Sequence, residues 1–310
     1  MRQLVSVVFA AVLAAAAPAL AQESAGGDDI VVTASRLDEM IREFVGEVTA
    51  ETQAEGQIAR WDHRICPQIA GLQRRQAQFI VDRLSQRAHQ IGLRPGGPEC
   101  RANILIFVTP DADRFTQELT AQFPVVFNPR VPNMHQQSNE ALAQFVVSDA
   151  PVRWWHVSQT TSMEGQIVRN TDPRWDRTGG ITGLSIVRTG ITSRIQRPTH
   201  QDFNRVVIIV DATRAAGHRF DALADYLAMV ALAQINPGAD TTEADSILNL
   251  FADTRAESAV EALTTWDIAY LEGLYEARPN AWTARQQQAD ISRRMRTTEL
   301  DAEYLDEAER

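Results

Sequence analysis

The chain contains no lysine: all 30 of its Lys/Arg positions are arginine. That excludes Schiff-base chemistry through a lysine amine, and it excludes the lysine of a phosphate-binding P-loop. Cysteine is almost as scarce, with Cys66 and Cys100 alone among 310 residues. The six histidines, at 63, 89, 135, 156, 200 and 218, are scattered, and no pair has the one-turn spacing of a helical metal site. Beyond the first 21 residues no stretch approaches the roughly 20 apolar residues needed to span a bilayer. Acids outnumber bases, 40 to 30, for a net charge of −10. Such a surface repels phosphate backbones and anionic lipid, so nucleic acid is excluded as a natural partner.

What is present starts with Met1-Arg2-Gln3, the apolar stretch Leu4 to Ala17, Pro18 and the small triplet Ala19-Leu20-Ala21. A charged start, a hydrophobic middle and an Ala-x-Ala site make residues 1–21 a secretory signal peptide. The alternative is a membrane anchor, for which the run is short and too rich in alanine. Cleavage after Ala21 removes Arg2 and no acid, which moves the net charge from −10 to −11. The expected location is the periplasm of a Gram-negative-type envelope or the medium, with membrane contact only through an uncleaved signal peptide. In an exported chain two cysteines most often pair, and a Cys66–Cys100 disulfide closing a loop of about 34 residues is worth roughly 3–4 kcal/mol. A metal site is the weaker alternative, because no histidine pattern accompanies the cysteines.

Hydrophobic residues make up 44% of the chain, enough for a folded globule. From Leu37 the positions Met40, Ile41, Phe44, Val45 and Val48 form a helical stripe. Gln68 to Ile91 reads as a longer helix, with Ile69, Leu72, Ile80, Leu84 and Ile91 inward, stopped by Gly92 and Pro95. Asn103 to Thr109 is a short buried strand, and Pro110-Asp111 open a helix carrying Phe115, Leu119 and Phe123 on one face. Residues 124–137, rich in proline and asparagine, read as an irregular loop before a helical turn at Glu140 to Phe145. Strands are expected at 152–159, 165–169, 181–195 and, most clearly, Arg205 to Asp211. Helices are expected at 219–235, 244–252, 263–276 and 282–296, followed by an acidic tail at 299–310. The order predicts one α+β domain over 37–298, a twisted mixed sheet packed on helices with a helical C-terminal part.

Three segments in order carry a resemblance. Leu223-Ala-Asp-Tyr-Leu-Ala-Met-Val-Ala-Leu-Ala-Gln-Ile235 lies where a zinc protease has H-E-x-x-H-x-x-G-x-x-H. Asp245-Ser-Ile-Leu-Asn-Leu-Phe251 is similar to D-S-I-M-x-Y, and Leu263 to Tyr275 to L-T-x-x-D-I-x-x-L-x-x-L-Y. Together they resemble the metzincin-type zinc proteases and related secreted bacterial proteins, which implies a single zincin-like domain. The resemblance places Asp225, Met229 and Ile235 at the ligand positions, Tyr226 at the catalytic glutamate and Leu248 at the Met-turn. Zinc hydrolysis needs two imidazoles one turn apart, a third ligand and a carboxylate base. What the resemblance implies is therefore a pseudoenzyme, with no metal and no cofactor.

The residues point the same way by themselves, since Leu223, Tyr226, Leu227, Val230 and Ile235 make an apolar helix face suited to a core. Asp225 in its midst is either an exposed or hydrogen-bonded acid or part of a polar cluster with Asp211, His218 and Tyr226. Asp211 by itself can cap the turn after its strand. Trp154-Trp155 are either core residues or a stacking surface, and on a strand at most one of them faces any given site.

Just past the cleavage site, Asp28-Asp-Ile-Val-Val-Thr-Ala-Ser-Arg36 resembles the TonB box of outer-membrane receptors. In a flexible segment 22–36, Ile30, Val31, Val32 and Thr33 would add as an extended strand to a partner's sheet, TonB being the implied partner. An ordinary N-terminal strand or tail is the alternative. The function expected is that of an exported, non-catalytic protein binding a protein or peptide partner in the envelope. The alternatives are an atypical hydrolase using Asp211, His218 and Asp225, and a purely structural role.

Overall fold

The computed structural model describes residues 26–50, 56–129, 134–166, 174–175, 181–182, 196–252 and 260–309; of 26–34, 174–175, 181–182 and 300–309 only the backbone is described. The chain divides into two compact units, Met1–Arg36 and Leu37–Arg310. In the first, the described backbone is helical and opens α1, Gly26–Val48. This differs from the extended conformation that the β-branched run Ile30 to Thr33 suggests. Once a nucleus exists, each added residue gains a hydrogen bond, and a β-branched side chain opposes that by only tenths of a kcal/mol. In the second unit the expected stripe is observed, with Ile41, Phe44, Val45 and Val48 buried and Met40 exposed.

Residues 68–70, read as the start of a helix, belong instead to strand β1, Pro67–Ala70, and α2 begins only at Arg74 and ends at Gln90. Gly71 separates the two with φ +92°, and a Cβ there would sit 1.9 Å from the Val108 carbonyl oxygen. Only glycine fits that turn. The apolar positions Ile69 and Leu72 pack on the core from the strand and its turn. Next come β2 (Ile104–Thr109) and α3 (Ala112–Gln122), after which Phe123 caps the helix and is half exposed rather than inward. The expected loop at 124–137 contains a single helical turn, α4 (Pro124–Phe127), and a short strand, β3 (Met134–Gln136). Then follow α5 (Asn139–Val147) and β4 (Val152–Ser162).

Of the strands expected at 165–169 and 181–195, most residues lie outside those described. Gly165 belongs to a turn closed by its amide on the Ser162 carbonyl, and β5 (Arg174–Trp175) pairs with β6 (Ile181–Thr182). Strand β7 runs Thr199–Asp211, longer than its apolar half alone suggests, and leads to α6, Phe220–Leu232. The segment expected as helix 244–252 forms only a 3-10 turn, Ile247–Phe251. Helix α7 spans Thr265–Glu276, and α8, Ala284–Glu309, continues through the expected acidic tail.

The main sheet has the order β1-β2-β7-β4-β3, with β1, β2 and β7 parallel and β4 and β3 antiparallel. Because side chains alternate along a strand, β7 serves two cores. Val206, Ile208 and Val210 face α1, α2, α6 and α7, while Val207 and Ile209 face α3, α4 and α5. Trp154 and Trp155 divide the same way; the first indole donates to the Ile235 carbonyl at 3.0 Å and the second to that of Phe127 at 3.0 Å. The second unit is thus an α+β domain with helices on both faces of a mixed sheet. Cys66 and Cys100 form a disulfide with Cα atoms 6.0 Å apart, tying the start of β1 to the loop before β2.

Candidate functional site

Helix α6 is built from alanine, leucine, methionine and valine, strong helix formers but for valine, and from Ala224 to Leu232 every residue is buried. A helix apolar on every side belongs in the interior. The carboxylate in its interior, Asp225, is fully enclosed. Arg83 Nε and Nη2 donate to the two oxygens of Asp225 at 2.7 Å each, and Arg87 Nε and Nη2 at 2.8 and 2.7 Å. The Leu263 amide adds a fifth bond at 3.1 Å. The arginines stand four residues apart on α2 and so share one face. Burial opposes the charge on Asp225, but the Arg87 and Arg83 guanidiniums and the amide outweigh it and hold the carboxyl below its usual range.

The other candidates from the sequence go elsewhere. Asp211 accepts the amides of Thr213 and Arg214, both at 2.9 Å, and so closes the turn that follows its strand. His218 and Tyr226 both meet the ring of Phe251 edge-on, with centroids 4.8 and 5.1 Å away. Tyr226 also lies 6.2 Å from the ring of Trp154, and burial pushes its phenol up. Thus His218 and Tyr226 share a neighbour, while Asp225 is engaged by α2 and Asp211 by its own turn; the four do not assemble into one polar cluster. Met229 and Ile235 are core residues, and Ile235 lies beyond the end of α6. Among the described residues no group of three or more His, Cys, Asp or Glu is arranged to hold a metal ion.

The three similar segments do meet. Asp267, the N3 residue of α7, caps its own helix with Thr264 and also accepts the Ser246 hydroxyl at 2.6 Å and the Ile247 amide at 2.7 Å. Tyr275 donates its hydroxyl to the Leu232 carbonyl at the end of α6, at 2.7 Å. Helix α6, the 3-10 turn and α7 are therefore one packed body.

A cleft of about 770 Å³ opens between the end of α5, the first residues of β4 and the Asn236–Gly238 turn, and its walls include Phe145, Trp154 and Tyr226. Strand β3 pairs only with Val157 to Gln159, so among the described strands none covers the outer edge of β4 at Val152 to His156.

A polar network that spacing along the chain does not reveal lies at the opposite end of β7. His63 Nδ1 is 2.9 Å from Asp202 Oδ2, and the Asp62 amide donates to Asp202 Oδ1 at 2.9 Å. The Asp202 hydrogen bond raises the His63 pKa against the opposing effect of burial. His63 and Asp202 stand 139 residues apart, and no local motif signals their meeting. Compared with protein-family models, curated proteins and solved structures, the chain matches none.

Proposed function

We propose that this chain is an exported, non-catalytic protein of the cell envelope, related in scaffold to the metzincin-type proteases, whose 770 Å³ cleft receives an extended segment of a protein or peptide partner. The observation that carries this reading is the commitment of α6. At the positions where a protease of that type needs imidazoles, Asp225 is spent on two arginines, and Met229 and Ile235 are spent on the core. The part of the β4 edge that no described strand pairs borders this cleft beside Trp154 and Tyr226, so a peptide entering it would meet backbone groups and aromatic rings, the two ingredients of strand addition. A disulfide and the absence, among the described residues, of a helix long and apolar enough to cross a membrane are compatible with export.

The test uses protein purified from the periplasm or medium. Metal analysis should find well under one equivalent of zinc, and a photo-crosslinker at Gln144, on the cleft wall, should capture an envelope protein or peptide that a crosslinker at Glu118 does not. Stoichiometric zinc together with peptide cleavage would overturn the reading. TonB is the narrower proposal for the partner of Ile30 to Thr33. It requires the first turns of α1 to unwind, and deletion of Asp28 to Ala34 should abolish binding to the C-terminal domain of TonB.

A further inference from the structure

Residues 60–65 run first beside β7 and then beside the loop that follows α2. The Phe203 amide donates to the Arg60 carbonyl at 3.0 Å, and Ile65 bridges Pro95 in parallel, its amide on the Arg94 carbonyl at 3.2 Å. That isolated bridge places Arg64 beside Arg94 on neighbouring segments of chain. Both side chains are exposed, and neither has a hydrogen bond or ion pair with a described residue. Both line one cleft of about 490 Å³ together with Asp62, His63, Ile91 and Leu93.

Arg60 and Asp202, beside this cleft, are already engaged. Arg60 donates to the carbonyls of Leu274, Tyr275 and Ala277 at 2.8–2.9 Å, which caps the end of α7. Asp202 is taken by His63 and the Asp62 amide, and the Asp62 carboxylate lies 3.3 Å from His200. Two like charges set side by side repel each other unless something neutralises them. In a chain of net charge −10, this cleft places together two guanidiniums that no described residue pairs.

We propose that this cleft binds a small organic anion, its phosphate or carboxylate head bridging Arg64 and Arg94 and its apolar body resting on Ile91 and Leu93. Guanidinium forks match the oxygen spacing of such heads, and paired forks add geometric selection to charge. His63, held through Nδ1 by Asp202 and through Nε2 by the Asn103 side-chain amide at 3.3 Å, forms part of the cleft wall. The site is separate from the 770 Å³ cleft, so it stands or falls independently of the peptide-binding reading.

Calorimetric titration of the full mature protein with phenyl phosphate and with benzoate tests this, with phenol as the neutral control. At least one of the two anions should bind with a dissociation constant on the order of 1 mM or tighter, and phenol should not. Arg64→Gln and Arg94→Gln are surface changes that should leave the circular dichroism spectrum intact and weaken binding about tenfold each, whereas Arg101→Gln should not. Vesicles containing phosphatidylglycerol distinguish the source: capture that requires Arg64 and Arg94 assigns a lipid headgroup, and its absence beside soluble-anion binding assigns a free anion. Binding of neither anion, or binding unchanged in both arginine variants, overturns the proposal.

Discussion

The carboxylate of Asp267 accepts the hydroxyl of Ser246 at 2.6 Å, a bond that helps join the start of α7 to the 3-10 turn packed on α6. Asp267 also takes the Ile247 amide and the amide and hydroxyl of Thr264, so four donors converge on one buried side chain. Burial pushes its pKa up to about 6, and the Ser246 hydroxyl and the two amides pull against that rise. Asp267→Asn puts an NH2 group against donors and should cost about 2–4 kcal/mol, read as a lower denaturant midpoint in urea. A variant as stable as the parent would show that the hook contributes nothing.

Asp225 makes a contrasting case, a buried charge whose partners are themselves charged. Asp225→Ala leaves the guanidinium of Arg87 enclosed without a counter-ion, and breaking a buried pair in this way costs about 3–5 kcal/mol. The loss should appear in chemical unfolding, whatever ligand is present. Arg87→Met removes one clamp while Arg83 stays, and should cost less than Asp225→Ala.

Acid should weaken the fold through His156. Its ring is buried, stacks on Phe203 with centroids 5.1 Å apart and has Nε2 2.8 Å from the Val230 carbonyl. Burial lowers its pKa to about 4. The unfolded chain therefore binds this proton more readily than the folded one between about pH 6.5 and 4, so stability present above 6.5 is lost as the pH falls through that window, by about 3 kcal/mol. Asp267, with a raised pKa, contributes the opposite slope between about 4 and 6, so the two partly cancel. His156→Phe should remove the acid-side loss and leave a shallower or reversed dependence in thermal melts. An unchanged pH profile would contradict the assignment.

Reducing the disulfide, or replacing Cys66 and Cys100 by serine, should lower stability by about 2–4 kcal/mol, since the bridge closes a 34-residue loop. The Cys66 amide remains anchored by the Asn103 side chain at 2.6 Å, so β1 should stay paired to β2. Comparison of oxidised and reduced protein in guanidinium measures the difference, and hydrogen exchange at Ile69 checks the pairing.

Gly71→Ala should be more damaging than any of these per atom added. The new methyl carbon would meet the Val108 oxygen at 1.9 Å and sit at a φ that side chains rarely adopt. Loss of soluble expression is the expected result, and a normally folded variant would mean that the β1–α2 turn has another way to close.

Much of the fold is legible locally. The apolar run in β7, the stripe of α1, the interior character of α6 and the pairing of the only two cysteines all follow from periodicity and composition, which act over a few residues. What tertiary structure decided is where local signals are balanced or silent. Residues 67–70 pair with β2 rather than wind into α2, because an open strand edge and the Gly71 turn outweigh a helical spacing of apolar side chains. Asp225 is conspicuous in the sequence, yet its role belongs to Arg83 and Arg87, 142 and 138 residues away. His63 with Asp202, and Arg64 with Arg94, carry no short-range pattern at all. Spacing along a chain reports which face of an element a side chain occupies; which charges finally meet depends on the packing of elements, and electrostatic partners are chosen only there.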